Sequence, residues 1–498
     1  MTFTFSRLLS LSLFTALLIV LAGCPASRSG SSVTPKPRLE PVAGIDLKDG
    51  QKTPEELLGP AIDRLTEAIK TAENELRNLE KPLPPGVTTS SVKSAEAQLE
   101  QAKSDKTLAL GVRSTGRADR ALSIVGKALA RTEVARAMLL TSPEFSQRAV
   151  WWRLQTNVQS EIKARVAKLA ESGFDTINLE VWYQGQTIYP SGETLLPQHS
   201  EHLGGDPLEW VLNAAREHQM KVNAWVRVYR LGRRTNSPIL QERPAWVALN
   251  RQGSHESRPE RGTVFLTPFN TKANTFVLEN LRKLVQLYGI DGLILDDLRI
   301  ANSLDPQRSF DYSNSARQAF YDEFQADPKA LDPATNPDLW AEWEQYRQDQ
   351  ITHFLEIIRE EMRRIKPEMK LAVKINANAQ ESQKVFAQDW ILWADAGLAD
   401  LFYTDLATMD AQRLRDEIVN VRRDLPSNAE IIVGLPAYLR VSSLDLARLV
   451  LTAADAQASG VVFRNNHDLD TLDLQTLQYG VFRTEKQPIK TIGSTKKK

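Results

Sequence analysis

From about residue 145 onward, short runs rich in β-branched and aromatic residues alternate with amphipathic helical segments. This alternation constrains the fold more than any other feature. Strands separated by helices pair in parallel and need both faces of their sheet covered. The candidate strands are 148–153, 174–182, 221–229, 290–297, 370–378, 400–405, 430–435 and 460–465. Between them, Ile162, Val166 and Leu169 fall on one helical face, and Asp206-Pro207-Leu208-Glu209 opens another helix. Leu444, Leu446, Leu449, Val450 and Ala453 mark a late helix. The pattern predicts an α/β chain closed as a (β/α)8 TIM barrel over 145–485, with its largest insertion at 298–340. All ten tryptophans lie between Trp151 and Trp393, which places the aromatic core in the same region.

The segment before the barrel reads differently. Arg7 precedes an apolar run from Leu8 to Val20, followed by Leu21-Ala22-Gly23-Cys24. A charged start, a short apolar core and small residues at a cleavage point make 1–23 a secretory signal. The run is too short to span a bilayer comfortably. It resembles the bacterial lipobox, which implies cleavage before Cys24 and attachment of lipid to that residue. Residues 24–52 are rich in Ser, Pro and Gly and read as a flexible tether. Thr53-Pro54-Glu55-Glu56 is a helix start, and 53–144 reads as a small helical bundle or spacer. Residues 486–498 form a basic tail. The expected location is therefore the cell envelope, lipid-anchored in a membrane. Pro25 follows the cysteine where an Asp would suggest inner-membrane retention, so the outer membrane is preferred if the source has two.

Composition narrows the chemistry. Lys+Arg and Asp+Glu are 62 each, which argues against nucleic acid as a partner. One cysteine allows neither an internal disulfide nor a Cys-based zinc site. The six histidines are scattered, and His199 and His202 read as loop residues rather than metal ligands. No cofactor and no metal is implied. Phosphate-binding loops, HExxH and nucleophile-elbow patterns are not found.

Strand parity then selects candidate site residues, because side chains alternate between faces and barrel active sites sit at strand C-termini. In the second strand Ile177, Leu179 and Val181 oppose Thr176, Asn178, Glu180 and Trp182. In the third, Val222, Ala224, Val226 and Val228 oppose Asn223, Trp225, Arg227 and Tyr229. In the fifth, Leu371, Val373 and Ile375 oppose Lys374, Asn376 and Asn378. The fourth strand ends in Asp296-Asp297, and parity aims Asp296 inward. Carboxylates and aromatics around an open mouth suit a sugar. Glycosidic hydrolysis normally needs two carboxyl groups. Asp296 is the first candidate, Glu180 its partner on parity, and Asp405 the second choice; Asp297 is a neighbouring acid or cap. Trp182, Arg227, Tyr229, Lys374, Asn376 and Tyr403 are the candidate substrate contacts.

These residues also carry a family resemblance. Gly173-Phe174-Asp175-Thr176-Ile177-Asn178 leads to Val181-Trp182-Tyr183-Gln184-Gly185-Gln186-Thr187-Ile188-Tyr189-Pro190-Ser191. Asn223-Ala224-Trp225-Val226-Arg227-Val228-Tyr229-Arg230, Leu266-Thr267-Pro268-Phe269-Asn270 and Tyr288-Gly289-Ile290-Asp291-Gly292-Leu293-Ile294-Leu295-Asp296-Asp297 follow in order. The set resembles the glycosyl-hydrolase-like 10 family of bacterial envelope proteins over roughly 146–410. The resemblance implies a TIM-barrel glycoside hydrolase, with peptidoglycan glycan strands among its substrates. It matches the family's acidic pair to Asp296 and Asp297. The chain departs from it at Trp182-Tyr183, Gln186, Arg227 and Leu298-Arg299, all at strand ends where substrate would bind. The expectation is a membrane-anchored glycoside hydrolase. The alternatives are a barrel that holds glycan without turning it over and a scaffold whose protein partner engages the helical region.

Overall fold

The computed structural model describes residues 53–483, apart from 234–236, 303–307, 407, 438–441 and 465. The signal 1–23, Cys24, the tether and the tail 486–498 lie outside the described residues.

Three helices come first: α1 (Pro54–Arg77), α2 (Thr89–Arg113) and α3 (Ala118–Ala137). The expected start of α1 is present as a reciprocal cap. Glu56 N–H donates to Thr53 Oγ1 at 3.4 Å, and Thr53 N–H donates to Glu56 Oε2 at 2.6 Å. Leu58, Ile62, Leu65 and Ile69 of α1 pack with Leu122, Val125 and Leu129 of α3. The far end of α3 is buried with Leu472 and Tyr479 of the helix Thr471–Tyr479. The three helices and the described residues that follow them form one compact unit.

Eight strands then alternate with helices: β1 (Gln147–Trp152), β2 (Thr176–Tyr183), β3 (Lys221–Arg227), β4 (Gly292–Asp296), β5 (Lys370–Ile375), β6 (Leu401–Asp405), β7 (Glu430–Leu435) and β8 (Gly460–Phe463). Each pairs in parallel with the next, and β8 pairs in parallel with β1, so the barrel closes. The chain is a (β/α)8 TIM barrel.

Alternation along each strand sorts the side chains. Leu293 and Leu295 of β4, with Leu371 and Val373 of β5, face the helices in the large outer core. Trp151, Trp225, Ile294, Leu401, Tyr403, Ile432 and Val462 fill the interior. Trp151 packs against Trp225 and Tyr403 with ring centroids 4.6 and 5.1 Å apart. The interior is therefore a plug of side chains, and any site must lie above it. After β4 the insertion packs Tyr312 and Phe320 against Trp340 and Trp343 of the helix Pro337–Ile365, and Phe269, from the connection before β4, joins this aromatic core. Among the described residues, no helix is long and apolar enough to cross a membrane.

Candidate active site

A cavity of about 990 Å³ opens at the C-terminal ends of β3 to β6. Asp296 is the last residue of β4 and lies at its floor, 6% exposed. Its Oδ2 accepts from Trp225 Nε1 at 2.9 Å and lies 3.4 Å from both Lys374 Nζ and Arg227 Nη1. Its Oδ1 accepts the Asp297 N–H at 2.8 Å. One carboxylate is thus held by an indole, an ammonium, a guanidinium and a backbone amide. Such a set fixes its orientation.

Lys374 links it to a second carboxylate. Its Nζ lies 2.9 Å from Asp405 Oδ2, at the end of β6. The ammonium also sits over the rings of Trp151 and Trp225, 5.2 and 5.4 Å from their centroids. Burial alone would raise the Asp405 carboxyl, but Lys374, with Arg464 and Arg227, outweighs it and holds it below the ordinary carboxylate value. The nearest oxygens of Asp296 and Asp405 can be no farther apart than the two lysine distances laid end to end. Gly434 of β7 supports this arrangement. A Cβ there would come within 2.4 Å of Asp405 Oδ1 and 2.9 Å of the Thr404 carbonyl.

Asp297 turns away from Asp296 and points into a cluster of cations. Its φ of 51° is in the left-handed region, where an Asp is tolerated better than most residues. Arg227 Nη1 lies 2.9 Å and Arg299 Nη2 2.6 Å from its oxygens. Burial opposes ionisation, and Arg299, Arg227 and Arg230 overcome it, so the carboxyl is held well below its ordinary value. Glu260 completes the cluster, 3.0 Å from Arg230 and 2.6 Å from Arg299.

Several sequence candidates are placed elsewhere. Glu180 points inward as parity predicts, but it has no exposed surface and does not line the cavity. Arg153 and Arg227 each approach it to 2.5 Å. Burial would raise its carboxyl, and these two guanidiniums pull it below the ordinary value. Expected as the partner carboxylate, Glu180 is placed beneath the cavity and pairs with Arg153 and Arg227. Trp182 is 1% exposed in the outer core, because a register shift between Glu180 and Trp182 breaks the alternation. Tyr229 lies past the end of β3, fully buried, with its ring against Phe354 and its hydroxyl on Asn274 Oδ1. Tyr403 points inward but deep in the plug, its hydroxyl 2.5 Å from Gln147 Oε1. None of these three aromatics can touch a ligand in the cavity. Arg227, Lys374, Asn376, Asp296, Asp297 and Asp405 do line it.

The residues that parity missed are Arg153, Arg230, Glu260 and Arg299. Arg153 was within reach, since extending the β1 alternation Ala149, Trp151 by one step puts it inward. Arg230 opens a short strand, Arg230–Arg233, outside the barrel, and Glu260 and Arg299 lie in connecting segments, where no barrel periodicity marks them. Among the described residues, no three His, Cys, Asp or Glu side chains are grouped as a metal site would need.

Comparison with known proteins gives a consistent set. The family model described as glycosyl hydrolase-like 10 matches residues 136–444. The glycosyl hydrolase DigH of Escherichia coli (strain K12) is 26% identical over 142 residues, covering 26% of this chain and 32% of that protein. DigH of Shigella flexneri matches to the same extent, so the match spans about a third of these relatives' length. Among solved structures, the catalytic domain of β-amylase from Paenibacillus polymyxa superposes with a TM-score of 0.49 at 12% identity, covering 66% of this chain and 94% of that one. The β-galactosidase from the psychrophilic Marinomonas ef1 gives 0.47 at 10% identity, covering 66% and 58%.

Proposed function

The chain belongs to the glycosyl hydrolase-like 10 family, and on that premise we propose that it hydrolyses glycosidic bonds in a cell-envelope polysaccharide. The observation that carries this reading is Asp296. It is an oriented carboxylate at the floor of an open, polar cavity, with a second carboxylate, Asp405, across Lys374. In this reading Asp296 faces the anomeric carbon as nucleophile or as the charge that stabilises the oxocarbenium ion. Asp405 is the proton donor, and the bound sugar must first lift Lys374 from it.

Peptidoglycan glycan strands are the proposed substrate. Lipidation at Cys24 would hold the barrel at the envelope, in the outer membrane of a two-membrane source. The lipobox-like sequence supports this, and loss of incorporated fatty acid in Cys24→Ser would test it. The test of the activity is turnover of denuded and peptide-bearing glycan strands by protein starting after Cys24. Wild type should release saccharides. Asp296→Asn, which keeps the shape and leaves the donors in place, should be slower by on the order of 10³-fold.

One observation favours a second reading, a barrel that binds glycan without cleaving it. Asp297 and Asp405 are both displaced toward the ionised form, whereas a general acid needs the opposite displacement. Glycan retained on the wild-type protein with no fragments released would establish that reading.

A further inference from the structure

The cavity above Asp296 does not end at the barrel mouth. It continues between the segment after β5 and the helix Ala411–Asp424. That helix buries Leu414, Ile418 and Val421 against the barrel. Beside this apolar stripe runs a polar one, Arg413, Glu417, Asn420 and Asp424, spaced four, three and four residues apart and lining the same cavity. From Arg413 to Asp424 it extends roughly 16 Å along the helix axis. No single sugar ring occupies that length together with the floor at Asp296.

The chemistry of the stripe is distinctive. Arg413 pairs with Glu417 at 2.8 Å, and Arg423 with Asp424 at 3.3 Å, so its charges cancel. It offers donors and acceptors side by side, which suits hydroxyl and acetamido groups. The opposite wall carries Asn376 and Asn378. Asn376 Oδ1 accepts the Asn378 N–H at 2.9 Å, and Asn378 Oδ1 accepts the Glu381 N–H at 3.0 Å. With both oxygens engaged, the amide N–H groups are what these residues can offer a ligand.

We propose that the helix Ala411–Asp424 forms distal subsites for a glycan chain whose reacting bond lies over Asp296, so that the protein selects chains of several sugar units over short fragments. This rests on the glycosidase reading and specifies the length of its substrate. Arg413 and Asn420 are the proposed distal contacts. Arg413 is 70% exposed along its side chain, so removing it does not threaten the fold.

The experiment measures calorimetric affinity of Asp296→Asn protein for β-linked glycan tetrasaccharide and octasaccharide, with and without Arg413→Ala plus Asn420→Ala. Turnover of both chains by the Asp296-containing proteins runs in parallel. The octasaccharide should bind more tightly than the tetrasaccharide, and the double substitution should reduce that preference about tenfold. Gln412→Ala, one residue along the same helix and outside the cavity lining, should retain the preference. Equal affinity for both lengths, or an equal loss for both in the double variant, overturns the distal subsites while leaving the glycosidase reading intact. Failure of wild-type protein to bind or cleave either chain overturns both.

Discussion

Arg227 Nε lies 2.5 Å from Glu180 Oε1 in the upper layer of the barrel, and Glu180 is wholly enclosed. The same guanidinium reaches Asp297 at 2.9 Å and Asp296 at 3.4 Å. Glu180 therefore sets the position of a cation that two cavity carboxylates use. Removing it leaves Arg227 short of a compensating charge and Arg153 without its partner. Glu180→Ala should cost about 1–3 kcal/mol of stability, since Arg227 loses one of its three carboxylates and the buried site loses its charge-assisted hydrogen bonds. Urea unfolding followed by circular dichroism measures this. An unchanged midpoint would contradict the anchoring of Arg227 by Glu180.

The sequence showed the barrel clearly because its strands are buried on both faces and its helices have one apolar stripe. Parity placed Asp296, Arg227 and Lys374 at the mouth for the same reason. It failed where its premise failed. The irregularity between Glu180 and Trp182 sends Trp182 outward, and Tyr229 lies past the last paired residue of β3. Tyr403 shows a different limit: period two gives the face of a strand residue and says nothing of its depth. Glu260 is brought to Arg299 by tertiary contact alone, so no local pattern could have marked it, whereas Arg299 reaches Asp297 from two residues along the chain and stood out in the sequence only as a departure from the family pattern.

Lys374 governs the ionisation of Asp405. Replacing it with methionine removes the nearest cation and leaves burial less opposed, so the Asp405 carboxyl should rise. A proton donor acts in its protonated form, and raising its pKa keeps it protonated to higher pH. In Lys374→Met the alkaline limb of the kcat/KM profile should move to higher pH. The amplitude should also fall, because Asp296 loses a donor. A limb that stays in place would mean that Asp405 is not the group whose proton is transferred.

Gly434 tests the same carboxylate through packing. Its absent side chain leaves the space that Asp405 Oδ1 occupies. Gly434→Ala must displace either the carboxylate or the β6–β7 backbone pairing, at a cost of about 1–3 kcal/mol. Turnover should fall more than binding, because Asp405 moves relative to Lys374 while the cavity walls remain. Crystallography of the variant would show which group yields. An unmoved Asp405 with full activity would contradict the tight contact.

The contact region between α3 and the barrel helices carries its own pH dependence. Asp473, in the helix Thr471–Tyr479, has its carboxyl pushed up to about 6 by burial and by the charge of Asp470. Glu133 of α3 is also pushed up, by burial first and in part by Asp473 itself, although Arg64 opposes this. A carboxyl whose folded pKa exceeds its unfolded value binds its proton more tightly in the folded state. Its contribution is fully present below the unfolded pKa, near 3.9, and is lost as pH rises through about 6. Asp473→Asn removes the ionisation and keeps an Oδ1 acceptor for the Ser443 hydroxyl, now bonded at 2.7 Å. It forfeits the bond from Asp470 N–H to Asp473 Oδ2 at 3.0 Å, which offsets part of the gain. The variant should be about 1–2 kcal/mol more stable than wild type at pH 7.5 and no more stable at pH 4. Chemical denaturation at the two pH values decides it. A stability gain that is the same at both would show that Asp473 does not titrate between them.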